Sequence, residues 1–197
     1  MTSVLDYAPA AATCFAVPQF FPQVRRLAVT RDTAGLSWSW AALTSVNNAA
    51  WLTYFTLARY WTALIPSSCV TLLAGTLAAM LTRRGAARRL PAVLIGLWAG
   101  VLVAACGLAG RAGLGTALTV AFVLQVTPSI RAVYLAPRPT GVSAGTWLLI
   151  LGELACWLTF GVHRPDPRLI ALGATGITAS VLILARIHLA RRSASLV

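Results

Sequence analysis

The apolar residues of this chain come in runs of about twenty, and a helix of that length crosses a roughly 30 Å hydrocarbon layer. Seven such runs are read, at about 5–24, 36–58, 62–82, 91–110, 112–132, 143–162 and 169–189. Inside lipid every backbone N–H and C=O needs a partner within the protein, so a spanning segment is a helix or part of a closed barrel. The alternating strands of a barrel are not seen. Prolines and glycines inside the runs do not alter the reading, because neighbouring helices can satisfy the freed backbone groups. Composition points the same way: 58% of the residues are hydrophobic and 10% charged, where a soluble domain is about a quarter charged. Four acids cannot hydrate the surface of a 197-residue soluble protein.

A net charge of +12 would suit a nucleic-acid partner, but the distribution argues against one. Every basic residue besides the two histidines is Arg, and the arginines cluster between the apolar runs. Alternate connections and the C-terminal tail carry Arg25, Arg26, Arg31, Arg83, Arg84, Arg88, Arg89, Arg131, Arg138, Arg186, Arg191 and Arg192. The opposite side has Arg59, Arg111, Arg164 and Arg168. Arg-rich connections stay in the cytoplasm, so the expectation is a multi-pass plasma-membrane protein with its N-terminus outside and its C-terminus inside. Membrane lipid, not nucleic acid, is the expected partner of these charges.

Cys14, Cys69, Cys106 and Cys156 all fall within apolar runs and none has a CxxC partner. They read as small buried apolar side chains, not as a disulfide framework or a metal site. No basic region precedes the first apolar run, so no cleaved signal peptide is expected. Metalloprotease, nucleophile-elbow and phosphate-loop motifs are missing from the sequence. No enzyme activity, cofactor or metal is therefore expected.

An internal repeat fixes the organisation. At a shift of 106 residues, without a gap, Gln19 meets Gln125, Pro22 meets Pro128 and Arg25 meets Arg131. Gly35 meets Gly141, Ser37 meets Ser143, and Trp51-Leu52-Thr53 meets Trp157-Leu158-Thr159, with Tyr54 opposite Phe160. The unit holds three helices, so two units in direct succession would face opposite ways, and the fourth run restores a parallel orientation. The expected fold class is an all-α membrane protein with seven transmembrane helices, two parallel three-helix-bundle repeats joined by an inversion linker helix. Its expected parts are 1–85, 86–111 and 112–197. Parallel repeats of this kind occur in transporters, whose substrate sites lie near the bilayer midplane.

The order Phe21-Pro22-Gln23, basic loop, Trp51-Leu52-Thr53-Tyr54 resembles the SWEET/SemiSWEET and PQ-loop transporter families. The second half resembles it in weaker form through Pro128-Ser129, Thr140-Gly141 and Trp157-Leu158-Thr159-Phe160. The resemblance implies passage of a small solute by alternating access, with Pro22 and Pro128 as hinges. A further hinge proline of the SWEETs is replaced here by Trp40 and Thr146. It also implies that Trp51 and Trp157 line the solute site. The family's Asn pair on the third helices corresponds to Ser67 and Gly173. A sugar needs several convergent hydrogen-bond partners, so this departure bears on the solute carried.

Read from the residues alone, Glu153 is the one acid in the middle of a run. A carboxylate there is costly unless paired or facing water, so it is a candidate for binding substrate or carrying a coupling proton. It precedes Trp157 by four residues, on the same helical face, as Asn47 precedes Trp51. The alternative for each is structural: a hydrogen bond between helices, or simple packing. Asn48 is the weaker neighbour of Asn47. Gln19 and Gln125 stand one turn before Pro22 and Pro128, where they can cap freed carbonyls. Asp32 reads as a solvated loop charge, and His163 and His188 as interfacial.

The expected function is movement of a small polar solute, a sugar above all, by a SWEET-like facilitator. A proton-coupled carrier of an amino acid, a vitamin precursor or another solute is the second reading, and a non-transporting receptor or subunit the third. A homo-oligomer is compatible with all three, as packing instead of a shared pore.

Overall fold

The computed structural model describes residues 3–30, 38–85, 87–135 and 144–194, without the side chains of 21–23, 25, 26, 28, 30, 128, 129, 132 and 191–194. Among these residues the chain is helical throughout, with no strand. Helix α1 is Ala8–Thr30, α2 is Trp38–Ala58 and α3 is Leu64–Arg83. The run Arg89–Leu135 is broken by the non-helical backbone of Ala109 and Gly110 into α4a (89–108) and α4b (111–135). Helices α5 (Ala144–His163) and α6 (Pro167–Ala194) follow. Seven helices result.

The break is a chain reversal. Gly110 takes φ 56°, which a residue with a Cβ adopts only at a cost. Beyond it, a Cβ on Gly113 would collide with the carbonyl oxygen of Ala105. Eight residues of continuous helix would hold those two about 12 Å apart. The expected boundary between the runs 91–110 and 112–132 coincides with this turn.

Four helices are long and apolar enough to cross a membrane: Trp61–Arg83, Arg89–Thr127, Ala144–His163 and Pro167–Ala190. They overlap five of the seven expected runs. The other two fall on α1 and α2. In α2 the amides of Asn47 and Asn48 and the hydroxyls of Thr44, Ser45, Thr53 and Thr56 dilute the apolar character. Several hydroxyls turn back on their own helix: Thr53 donates to the Ala49 carbonyl (3.3 Å) and Thr56 to that of Leu52 (2.8 Å). This removes the need for water.

The chain divides into two compact units: Ala16–Leu118, and Met1–Phe15 with Thr119–Val197. Each has a three-helix core. In the first unit Leu27 of α1, Ala41 of α2, and Leu77 and Leu81 of α3 are fully buried, with Val24 and Trp38 packed on them. In the second, Val133 of α4b and Ile183 and Ile187 of α6 are buried, with Ile130, Ala144 and Trp147 on them. All six residues of the second cluster stand 106 positions after a member of the first. The two pairs that change size most change it reciprocally. Trp38 and Ala41 in the first bundle become Ala144 and Trp147 in the second, so each core receives one indole from successive turns of its middle helix.

The ends of those middle helices also correspond. The Tyr60 N–H donates to the Phe55 carbonyl at 2.9 Å, and the Asp166 N–H to the Gly161 carbonyl at 2.8 Å. Both are the wide closing bond of a Schellman turn, again 106 residues apart. The next helix starts differently in each half. The short 3-10 turn Trp61–Ala63 leads into α3, whereas α6 begins with Pro167 and is capped by Asp166, whose Oδ1 accepts from the Arg168 N–H at 3.1 Å.

The reciprocal exchange is testable. Ala41→Trp, with Trp38 retained, overfills the first core and should lower the thermal midpoint of the purified protein by several degrees, a cost of roughly 1–3 kcal/mol. The pair Trp38→Ala with Ala41→Trp should recover part of that loss. Recovery stays incomplete because the Trp38 Nε1 bond to Thr82 Oγ1, 2.7 Å, is lost. A double variant no better than the single would show that the two cores are not packed alike.

Candidate functional site

Trp51 is 8% exposed and sits in a cluster of rings. Its ring stacks on Phe55 (centroids 5.4 Å apart, 20° between planes) and meets Tyr54 edge-on at 5.2 Å. Helical spacing alone makes this cluster, since residues three and four apart are neighbours. Tyr54 is fully buried, with the exposed Arg111 guanidinium 6.0 Å from its ring centroid. Such a cation over a ring face is favourable by about 0.5–2 kcal/mol, more when desolvated.

Asn47, one turn before Trp51, is half-buried and accepts a hydrogen bond from the Trp98 indole N–H of α4a at 2.8 Å. Asn48 is turned to its own helix, its Nδ2 donating to the Thr44 carbonyl at 3.0 Å. A third polar position comes from α3. Ser67 is 3% exposed, and one turn on Thr71 has a buried hydroxyl with no hydrogen-bond partner. The Thr71 carbonyl accepts from Ser45 Oγ at 3.1 Å. Asn47, Trp51 and Ser67 thus belong to the first unit, with hydrogen-bonding groups of α2 and α3 between them.

In the second unit Trp157 is 6% exposed and Phe160 is buried, the positions equivalent to Trp51 and Tyr54. Gly161 stands where the first half has Phe55, so the ring on which Trp51 stacks has no equivalent there. Glu153 is half-buried on α5 and engaged in interactions there. The Phe15 ring lies directly on Gly152, beside it. Gly173 is buried at a crossing of helices: a Cβ there would come within 2.7 Å of the Leu158 backbone nitrogen. Its missing side chain therefore serves the approach of α6 to α5. Pro22 lies within α1 and Pro128 within α4b, but their side chains, with those of Gln23 and Ser129, fall outside the described residues. So do Arg31, Asp32, Arg138, Thr140 and Gly141.

A second constellation escaped sequence reading. The carboxylate of Asp6 accepts from the Ser3 backbone N–H (3.0 Å), while Oδ1 lies 2.8 Å from Arg164 and 3.0 Å from His163 Nε2. Ser3 Oγ in turn accepts from the Leu5 N–H, completing a capping box on the 3-10 turn Val4–Tyr7. The start of the chain is so tied to the turn between α5 and α6. Burial raises the Asp6 pKa, but the Ser3 N–H, Arg164 and His163 outweigh it and hold it below the ordinary 3.8. The only available signal was an acid in a nearly acid-free chain, and its side-chain partners His163 and Arg164 lie more than 150 residues away.

Asp6 sits outside the long helices, on the 3-10 turn Val4–Tyr7. A carboxylate with a lowered pKa stabilises the fold above its ordinary value and loses that contribution as pH falls through the folded-state value. The thermal midpoint of the wild type should therefore fall more steeply below pH 3.8 than that of Asp6→Asn. At pH 7 the variant should be the less stable of the two. Parallel pH profiles would show that Asp6 is not held as an ion.

Among the described residues no group of three or more His, Cys, Asp or Glu could hold a metal. No family model, no curated protein and no solved structure matches this chain.

Proposed function

We propose that this chain is a seven-span membrane transporter, two parallel three-helix repeats joined by α4a, which passes a small polar solute by alternating access. The observation that carries the reading is the pair of three-helix cores built from equivalent positions 106 residues apart. A duplicated bundle in the membrane supplies two similar halves that can rock about a solute, which is the arrangement of parallel-repeat transporters. The equivalent Schellman turns and the four membrane-length helices support it further. The resemblance to SWEET and PQ-loop proteins makes a sugar the first solute to try. Trp51, Asn47 and Ser67 in the first half, and Trp157, Glu153 and Gly173 in the second, are the proposed solute contacts, with Pro22 and Pro128 as hinges. The N-terminus would face outward and the C-terminus the cytoplasm, in the plasma membrane.

Proton coupling is a second reading, favoured by one observation: Glu153 is a carboxyl midway along a membrane-length helix. Such acids mark ion and proton paths by default.

The test is counterflow in proteoliposomes with labelled hexoses, disaccharides, amino acids and nucleosides. One of these should exchange, and Trp157→Ala should slow it by at least about tenfold, the scale of losing an aromatic wall. Glu153→Gln should leave the exchange intact in a passive facilitator but abolish accumulation driven by a pH gradient in a coupled one. No exchange of any solute by well-folded protein would overturn transport and turn attention to a receptor or subunit role.

A further inference from the structure

Trp98 belongs to α4a, whose surface is otherwise open. Leu90, Val93, Leu94, Leu97, Val101 and Val103 are all at least half-exposed, and within 89–108 only Leu102 is buried. The indole of Trp98 reaches α2 and donates to Asn47 Oδ1 at 2.8 Å. An indole nitrogen can only donate. The atom it meets must therefore be the amide oxygen, which settles the orientation of a side chain whose two ends otherwise look alike. Among the described residues the Asn47 side chain has no other partner, and the residue is half-buried.

We infer that Trp98 is a positioning residue that locks the Asn47 amide with its oxygen turned to Trp98, so that the face Asn47 offers a solute carries its two N–H donors. The solute group facing Asn47 is then an acceptor: a hydroxyl, carbonyl or carboxylate oxygen. This rests on the transporter reading and sharpens it, because it gives the first half a fixed donor where the equivalent position of the second half holds the carboxyl of Glu153. A free amide can flip to suit either kind of partner; a locked one discriminates, since a solute that presents a donor leaves both groups unpaired.

Two measurements test it together. In nanodiscs, the indole N–H resonance that disappears in Trp98→Phe should exchange slowly with water in the wild type and at least about tenfold faster in Asn47→Leu, a loss expected when a hydrogen bond of this kind opens. In proteoliposomes, Trp98→Phe should raise KM for the exchanged solute roughly three- to tenfold with kcat within about twofold, as befits one weakened hydrogen bond. Asn47→Asp, which puts an acceptor where the N–H donors stood, should lose that exchange, while Asn47→Gln, which keeps the amide, should retain part of it. A residue that merely held α4a in place would lower stability and kcat without changing KM alone. An unprotected indole, or an unchanged KM in Trp98→Phe, overturns the inference whatever the solute. A protected indole in a protein that moves nothing upholds the locked amide and overturns the transporter reading instead.

Discussion

Within a hydrocarbon layer apolar surface gains nothing by meeting apolar surface, because lipid tails are as apolar as leucine. Helices that stay together there do so by close packing and by a few hydrogen bonds. The contacts between helices are of those two kinds. Gly173 lets α6 settle on the backbone of Leu158, and Ala16 and Ala74 let α1 and α3 approach. Ser45, Trp38, Trp98 and Tyr134 each send a hydrogen bond to another helix. Most of the remaining polar side chains are spent locally: Thr53, Thr56, Thr116, Thr127, Thr159 and Thr178 all donate to a carbonyl four residues back. Where a bond joins two helices, it fixes something that apolar packing alone leaves free. The bond from α4a is the clearest case, since that helix buries almost nothing else.

The same physics explains why acids are so scarce and where they sit. Of the four, Asp6 and Asp166 lie at turns, where each accepts backbone N–H groups that helix geometry leaves unpaired. They do so on a single side of the chain, around the turn that joins α5 to α6. Among the described residues Glu153 is the acid in a helix interior, where no capping role exists for it. That contrast, more than its burial, is what sets it apart.

Helix positions were legible because hydrophobic runs of membrane length are a strong signal. The run read at 143–162 falls within a residue of Ala144–His163, that at 62–82 overlaps α3, and the boundary read between 110 and 112 adjoins the turn at Ala109 and Gly110. The 106-residue shift, first visible in Trp51 and Trp157, reappears in six core positions that share little chemistry beyond being apolar, such as Leu27 with Val133. Local periodicity could not reveal which helix each face meets. Trp98 is one tryptophan among seven and Asp6 one acid among four, and Gly173 reads only as the position of a family Asn. Each acquires a role only through a residue on another helix, and such pairings leave no trace in spacing.

The exchange of Trp38 and Ala41 for Ala144 and Trp147 has a consequence for how far the parts of one core could serve in the other. A duplicated bundle starts with identical halves, any helix of which could stand in for its twin. Once one copy moves its indole by a turn, every neighbouring side chain adjusts to the new site, and parts cease to be interchangeable. A hybrid bundle that borrowed its middle helix from the other half would meet a bulge where it needs a hollow. The two three-helix cores are each committed to their own companions, because each seats its indole where the other holds an alanine.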